Sequence, residues 1–395
     1  MKLNRLWCLV ILVNSWMGIQ AQSIPFLKLS RIKCGADRTE AYFSVLRGKN
    51  IGLVSNPTSR VGSVHLVDTL VHSGMKVMKI FAPEHGFRGE GEAGATINNG
   101  LDPVTGIPVI SLYGKHKKPT PADLGRLDLV VFDIQDVGVR FYTYISTLHF
   151  VMEACAAEGK PLLLLDRPNP NGFYIDGPIL DTAFRSFVGM HPVPVVYGLT
   201  IGEYAKMING EGWLQNGLKC NLTVIGCEGY DHGTQYILPV KPSPNLPNQV
   251  SVYLYPSLCF FEGSVISIGR GTEFPFQVFG HPDLTGKFSF TPESKEGISL
   301  HPLYEKRLCY GSDLRQEGMK TFTEKQGIIL DWVVDAWSAL GKRNDFFTDY
   351  FDTLAGTSQL RLQIQQGLSP EQIRLGWEPG LRKYQKMREK YFLYD

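Results

Sequence analysis

The residues best suited to chemistry fall in five short clusters, each just after an apolar run. Ser55–Asn56–Pro57 follows the first run, and Pro83–Glu84–His85–Gly86, with Arg88 and Glu90 behind it, follows the second. Tyr113 and Gly114 follow the third. The fourth leads into Asp133–Ile134–Gln135–Asp136, then Gly138, Arg140, Tyr142 and Tyr144. The fifth leads into Asp166–Arg167–Pro168–Asn169–Pro170–Asn171. Carboxylates therefore recur (Glu84, Glu90, Asp133, Asp136, Asp166) beside arginines and tyrosines. Paired carboxylates with aromatic platforms fit glycoside hydrolysis, in which one protonates the leaving oxygen and another stabilises or activates the opposite face. The same carboxylates fit a Mg²⁺ site, and residue chemistry alone leaves both open. Any single cluster is ordinary turn chemistry. Five clusters that combine carboxylate, His, Arg and Tyr exceed what turns require.

Other chemistries lack their motifs. No Gly-x-Gly-x-x-Gly follows the first apolar run, and no Gly-x-x-x-x-Gly-Lys-Ser/Thr is present, so neither a dinucleotide nor a phosphate-cradling loop is supported. Gly-x-Ser-x-Gly is missing, which weakens a serine hydrolase. Glu84–His85 lacks the second His that a helical zinc site needs, and Pro83 and Gly86 place it in a turn. There is no Cys-x-x-Cys pair either. No cofactor and no metal is expected.

The elements that position these clusters alternate. Strands are expected over Asn50–Ser55, Val77–Ala82, Pro108–Tyr113, Leu127–Ile134, Pro161–Leu165 and Asn221–Ile225. Helices are expected over Val64–His72, Phe141–Glu158 and Thr200–Asn209, the last opened by a Thr200/Glu203 capping box. Continuous apolar strands separated by helices mark a parallel sheet covered on both faces. In such a sheet all strand ends of one polarity share an edge, so the five clusters converge on one crevice. Beyond Tyr236, Pro239, Pro242, Pro244, Pro247 and Pro256 crowd a stretch unsuited to regular helix or central strand. Further helices are expected over Glu324–Leu340 and Pro370–Tyr394. The fold class is α/β: a Rossmann-like parallel-sheet domain (residues 23–235) with a second, smaller α+β domain (236–395).

The first 22 residues have the make-up of a secretion signal: Lys2 and Arg5, then the apolar stretch Leu6–Val13, ending at Ala21–Gln22. Asn14 breaks that stretch well short of a membrane span, and Cys8 lies inside it rather than at its exit, so an exported chain without an integral membrane segment is expected. Six cysteines remain beyond Cys8, too sparse for a disulfide framework in a chain of 395 residues, so buried free thiols are expected, except that Cys220 and Cys227 flank one short strand and are placed to pair. A net charge of +2 with scattered basic residues gives no footprint for nucleic acid, and Lys115–His116–Lys117–Lys118 is a solvated loop.

Longer motifs carry a resemblance. FAPEHGFRGE, FDIQDVGVRFYTY, LLLDRPNP, the Pro242–Ser243–Pro244–Asn245 turn, FFEGSVISIGRGTEFPFQVFGHP and DTLAGTSQLRLQIQQG together resemble the NamZ-type exo-β-N-acetylmuramidases from about Gly52 to the C-terminus. The resemblance implies a cleft between a Rossmann-like and a smaller domain, and release of non-reducing terminal N-acetylmuramic acid from peptidoglycan-derived glycans. By position it implies Glu84 as general acid/base, with Asp133 and Asp136 as candidates for the second carboxylate. Arg140 and Arg270 are the candidate partners of the lactyl carboxylate of muramic acid, since a guanidinium matches a carboxylate bidentately. Asn56, His85, Arg88, Tyr113, Gln135, Tyr142, Asp166, Arg167, Asn169, Asn245 and Glu262 complete the expected sugar-binding set. A non-catalytic binder of wall sugars, and a metal-dependent hydrolase using the same carboxylates, are the alternatives.

Overall fold

The apolar runs stack as strands because most of their residues are buried on both faces of one sheet. The computed structural model describes residues 32–88, 99–324 and 327–395. The expected signal (1–22, with Cys8) and Glu90 lie outside the described residues. The strands are β1 (Asn50–Ser55), a small hairpin of β2 (Arg60–Val61) and β3 (Val64–His65), β4 (Lys76–Ala82), β5 (Gly100–Leu101), β6 (Pro108–Ser111), β7 (Leu129–Asp133), β8 (Leu162–Leu165) and β9 (Leu222–Ile225). Seven of them form the main sheet, in the order β5-β6-β4-β1-β7-β8-β9. All neighbours are parallel except β5 against β6. Along the chain the parallel strands therefore run outward from β1 in one direction, then restart at β7 in the other. This is the doubly wound order, with its reversal point between β1 and β7.

Strand periodicity sends successive side chains to opposite faces. Leu53, Val131 and Leu163 enter one core, whereas Val54, Phe132 and Leu164 enter the other, where the helix Tyr144–Ala157 packs. The capping box at Thr200 forms as expected: Glu203 N–H donates to Thr200 Oγ1 (3.3 Å) and Thr200 N–H to Glu203 Oε2 (2.9 Å). The helix expected over Val64–His72 is shorter, Leu66–His72, because Val64 and His65 pair with Val61 and Arg60 in the hairpin.

The second region carries a three-stranded antiparallel sheet, order β10-β12-β11, from β10 (Val278–His281), β11 (Phe288–Phe290) and β12 (Cys309–Asp313), with helices before and after it in the chain. Three expectations are corrected here. The proline-rich stretch gives way to a helix, Gln249–Leu258, that contains Pro256. Pro256 lacks the N–H that would bond the Val252 carbonyl, and Asn171 Nδ2 reaches that carbonyl instead at 3.5 Å. The helix expected over Glu324–Leu340 is confined to Asp331–Ala339, and a separate helix, Arg315–Glu324, precedes it. Cys220 and Cys227 are free thiols. The last helix, Pro370–Arg388, returns to the parallel-sheet half. There Tyr384 Oη donates to the Tyr197 carbonyl (2.8 Å) and Tyr394 Oη to Asp166 Oδ2 (2.7 Å). Among the described residues no helix is long and apolar enough to cross a membrane.

Candidate active site at the seam between the two regions

A cavity of about 190 Å³ opens where the carboxyl edge of the parallel sheet meets the second region. Glu84, His85, Tyr113 and the Phe141–Tyr144 segment line it from the sheet side, and Asn245, Tyr255, Glu262, Arg270, Phe276 and Tyr350 from the other. Seven of the sequence-predicted residues meet there: Glu84, His85, Tyr113, Tyr142, Asn245, Glu262 and Arg270.

Glu84 reaches the cavity from a tight turn after β4. Gly86 N–H closes the turn on the Pro83 carbonyl at 3.1 Å. His85 adopts a left-handed backbone (φ 70°) that a residue with a Cβ rarely takes, and Gly86 follows at φ 79°. Backbone of this kind is held only when the surroundings over-determine it. Thr143 Oγ1 then donates to Glu84 Oε2 at 3.2 Å, fixing the carboxyl group against the segment that follows β7. Burial, and next the neighbouring Glu84 charge, push the Tyr113 phenol well above its ordinary range.

The wall is aromatic. Tyr142 and Tyr144 meet edge to face at 4.8 Å, Phe141 and Tyr255 at 5.3 Å, and Tyr255 and Phe276 at 4.9 Å. Tyr142 Oη donates to the Pro242 carbonyl (2.7 Å), tying the two regions together at the cavity. In the opposite wall Arg270 gives both Nε (3.0 Å) and Nη2 (2.6 Å) to one oxygen of Glu262, while its guanidinium lies 5.0 Å above the Phe276 ring. Asn245 Nδ2 donates to the Ile298 carbonyl (2.9 Å), and its buried Oδ1 has no hydrogen-bond partner among the described residues.

The other predicted residues do not line the cavity. Asp133, expected as a catalytic carboxylate, is fully buried and clamped by Arg167 through Nε (2.6 Å) and Nη2 (2.8 Å). Burial raises its pKa while Arg167 opposes the rise. Asp136 is equally enclosed: Gly138 N–H (2.6 Å) and Tyr197 Oη donate to Oδ2, and burial still lifts it to about 7. Among the described residues Arg140 contacts no carboxylate. It donates to four carbonyls, those of Pro178 (2.9 Å), Val193 (2.7 Å), Leu354 (3.0 Å) and Ala355 (2.7 Å), and so staples the two regions from inside. Asp166 accepts from Thr200 Oγ1 (2.7 Å), Gly202 N–H (2.8 Å) and Tyr394 Oη (2.7 Å).

Asn56 folds its own turn, with Oδ1 accepting from Thr58 N–H (2.9 Å). Gln135 Nε2 donates to the Pro168 carbonyl (2.7 Å), and Asn169 Nδ2 to that of Leu199 (2.8 Å). Arg88 pairs with Asp102 (2.6 Å) and Asp68 (3.2 Å). These side chains build the strand-end loops through the bonds named, while Asn56 Nδ2, Asp136 Oδ1 and Arg140 Nε are buried without a hydrogen-bond partner among the described residues. Among the described residues no three of His, Cys, Asp and Glu are grouped so as to hold a metal ion.

Sequence reasoning missed Thr143, Phe187, Val188, Ser243, Tyr255, Phe276 and Tyr350 at the cavity. Thr143 sits inside the FYTY motif, which was signal enough. Tyr350, on the helix Asp349–Ala355, carries none, because only the fold brings it to the sheet edge.

A doubly wound sheet whose carboxyl edge closes against a second region over a cavity of carboxylates and tyrosines defines a two-part α/β protein with a seam-located site. Residues 51–250 match the family described as exo-beta-N-acetylmuramidase NamZ, N-terminal, and residues 253–394 its C-terminal counterpart. The chain therefore belongs to the exo-β-N-acetylmuramidase NamZ family. It is 38% identical to the peptidoglycan beta-N-acetylmuramidase NamZ of Bacillus subtilis (strain 168), over 93% of this chain and 92% of that protein. Crystal structures of two DUF1343 family proteins from Bacteroides fragilis NCTC 9343 share the fold. One is 44% identical with a TM-score of 0.84, the other 29% with 0.74; each alignment spans 92% of this chain and 99% of the other.

Proposed function

We propose that this protein is an exo-acting glycoside hydrolase that releases non-reducing terminal N-acetylmuramic acid from peptidoglycan-derived glycans. Kinship with the Bacillus subtilis protein supports the substrate class. The observation that carries the reading is the cavity itself, where Glu84 from one region and the Glu262–Arg270 pair from the other face the same aromatic-walled space.

Glu84, held by Thr143, is the general acid/base that protonates the leaving glycosidic oxygen. Tyr142, Tyr144 and Tyr255 present apolar ring surface to the sugar. Arg270 takes the lactyl carboxylate, and Glu262 orients its guanidinium. The 2-acetamido group of such a substrate is itself a nucleophile, so one acid plus orienting groups suffices. We read the chain as exported, from the charged start and apolar stretch of its first 22 residues, which places it with wall fragments outside the cytoplasm.

The test is release of chromophore from a chromogenic β-N-acetylmuramide beside the matching β-N-acetylglucosaminide, with and without EDTA. Release from the muramide alone, indifferent to EDTA, is expected. Loss of turnover in EDTA would favour a metal-dependent hydrolase, and saturable binding without product a sugar-binding protein.

A further inference from the structure

A second cavity, of about 550 Å³, lies away from the Glu84 site, between the base of the loop Pro178–Val193, the segment around Trp213 and the helix Pro370–Arg388. Its walls are apolar: Ile179, Pro192, Trp213 and Met387, together with the ring of Tyr384. Trp213 and Tyr384 are held from behind. Trp213 stacks on buried His191 at 4.6 Å, and the Tyr384 hydroxyl is committed to the Tyr197 carbonyl. Gly380 lets the helix approach the loop base, since a Cβ there would stand 2.9 Å from Ile179 Cγ1.

The rim is cationic. Lys383, Lys386 and Lys390 follow one another at helical spacing and all border the groove. Glu211, the acid of the rim, accepts from Tyr391 Oη (2.6 Å) and pairs with Lys390 at 3.4 Å. Lys383 and Lys386 have no acidic partner among the described residues. An apolar slot bordered by two uncompensated ammonium groups complements a molecule with an apolar body and an anionic head. The walls are concave and their side chains half-buried or buried, which suits a single inserted chain rather than a bilayer surface, where apolar side chains must protrude.

We propose that this groove binds a single-chain anionic amphiphile, with its apolar body against Trp213 and Met387 and its carboxylate at Lys383 and Lys386. The site is independent of whatever reaction the Glu84 cavity performs. Calorimetric titration of the full chain with decanoate tests it, beside decyltrimethylammonium and the variant K383E/K386E. Saturable binding of decanoate below its micelle concentration is expected, with affinity about ten-fold or more weaker in the double variant at an unchanged unfolding temperature. Free N-acetylmuramic acid should not compete. The proposal is overturned by absent saturation, by equal affinity for the cationic amphiphile, by unchanged affinity in K383E/K386E, or by displacement with N-acetylmuramic acid. Association with anionic phosphatidylglycerol vesicles but not with decanoate would likewise overturn it, assigning the face to a membrane.

Discussion

Two arginine–carboxylate pairs of the same length sit in very different surroundings. Asp133–Arg167, at 2.6 Å, lies beside the reversal point of the sheet with side-chain exposures of 0% and 4%. Glu262–Arg270, also at 2.6 Å, lies in the cavity wall at 22% and 25%. The reversal point is where ligands bind in open α/β sheets. Here that crevice is filled by the protein's own buried groups, Asn56, Asp133, Gln135, Asp136 and Arg167, which hydrogen-bond to neighbouring loops, with Asn56 Nδ2 and Asp136 Oδ1 left unpartnered among the described residues. The cavity has instead moved outward to the edge after β4 and β6, where the second region supplies a facing wall. Residue type and strand-end position are common to both sites. What separates them is whether the side chains are enclosed by the protein or open onto a cavity.

The comparison is broken most forcefully at the buried pair. Arg167→Met leaves Asp133 ionisable, buried and unpaired, and should cost about 3–5 kcal/mol in urea unfolding. A loss near zero would mean that water reaches the reversal crevice and that Asp133 belongs to a binding site after all. Arg270→Met removes the matching cation from the cavity. Its cost in stability should be about 1 kcal/mol or less, because the pair is partly solvated. KM for a muramide should instead rise about ten- to hundred-fold, as expected for losing a charged hydrogen bond. An equal rise with a glucosaminide would remove the lactyl contact from Arg270.

A smaller effect concerns pH. The Asp136 carboxyl is held at about 7 by burial, against 3.8 when unperturbed, and Asp166 is lifted to about 6 by the same cause. The folded chain therefore keeps protons that the unfolded chain has released. The stability that these two carboxyls contribute falls as pH rises from about 4 and is lost above about 7. Asp136→Asn should flatten that fall, read as a smaller difference between urea midpoints at acid and neutral pH. An unaltered difference would place the titration elsewhere.

Much of this arrangement was legible beforehand. β1 has the bounds its apolar run implies, and the continuous Leu-Val-Val-Phe and Leu-Leu-Leu-Leu runs of β7 and β8 announce strands buried on both faces. The turn that carries Glu84 is written locally in Pro-Glu-His-Gly. What local pattern cannot report is which strand-end groups find partners. Asp133 is sealed by an arginine 34 residues on, and Arg140 by carbonyls 214 and 215 residues on. Nor does it show that Asn171 will satisfy the carbonyl freed by Pro256, 81 residues from Val252, which is why a helix was not foreseen there. Burial is a property of the assembled chain, and it reassigns identical residue types from chemistry to architecture.

The most direct test is turnover of a chromogenic β-N-acetylmuramide by Glu84→Gln, checked for an unchanged unfolding temperature. A folded variant whose kcat falls by about 10²–10⁴-fold is the outcome that general acid catalysis from this turn requires. A folded variant within a few-fold of the parent would take the chemistry away from Glu84, and with it the claim that the seam cavity is the active site.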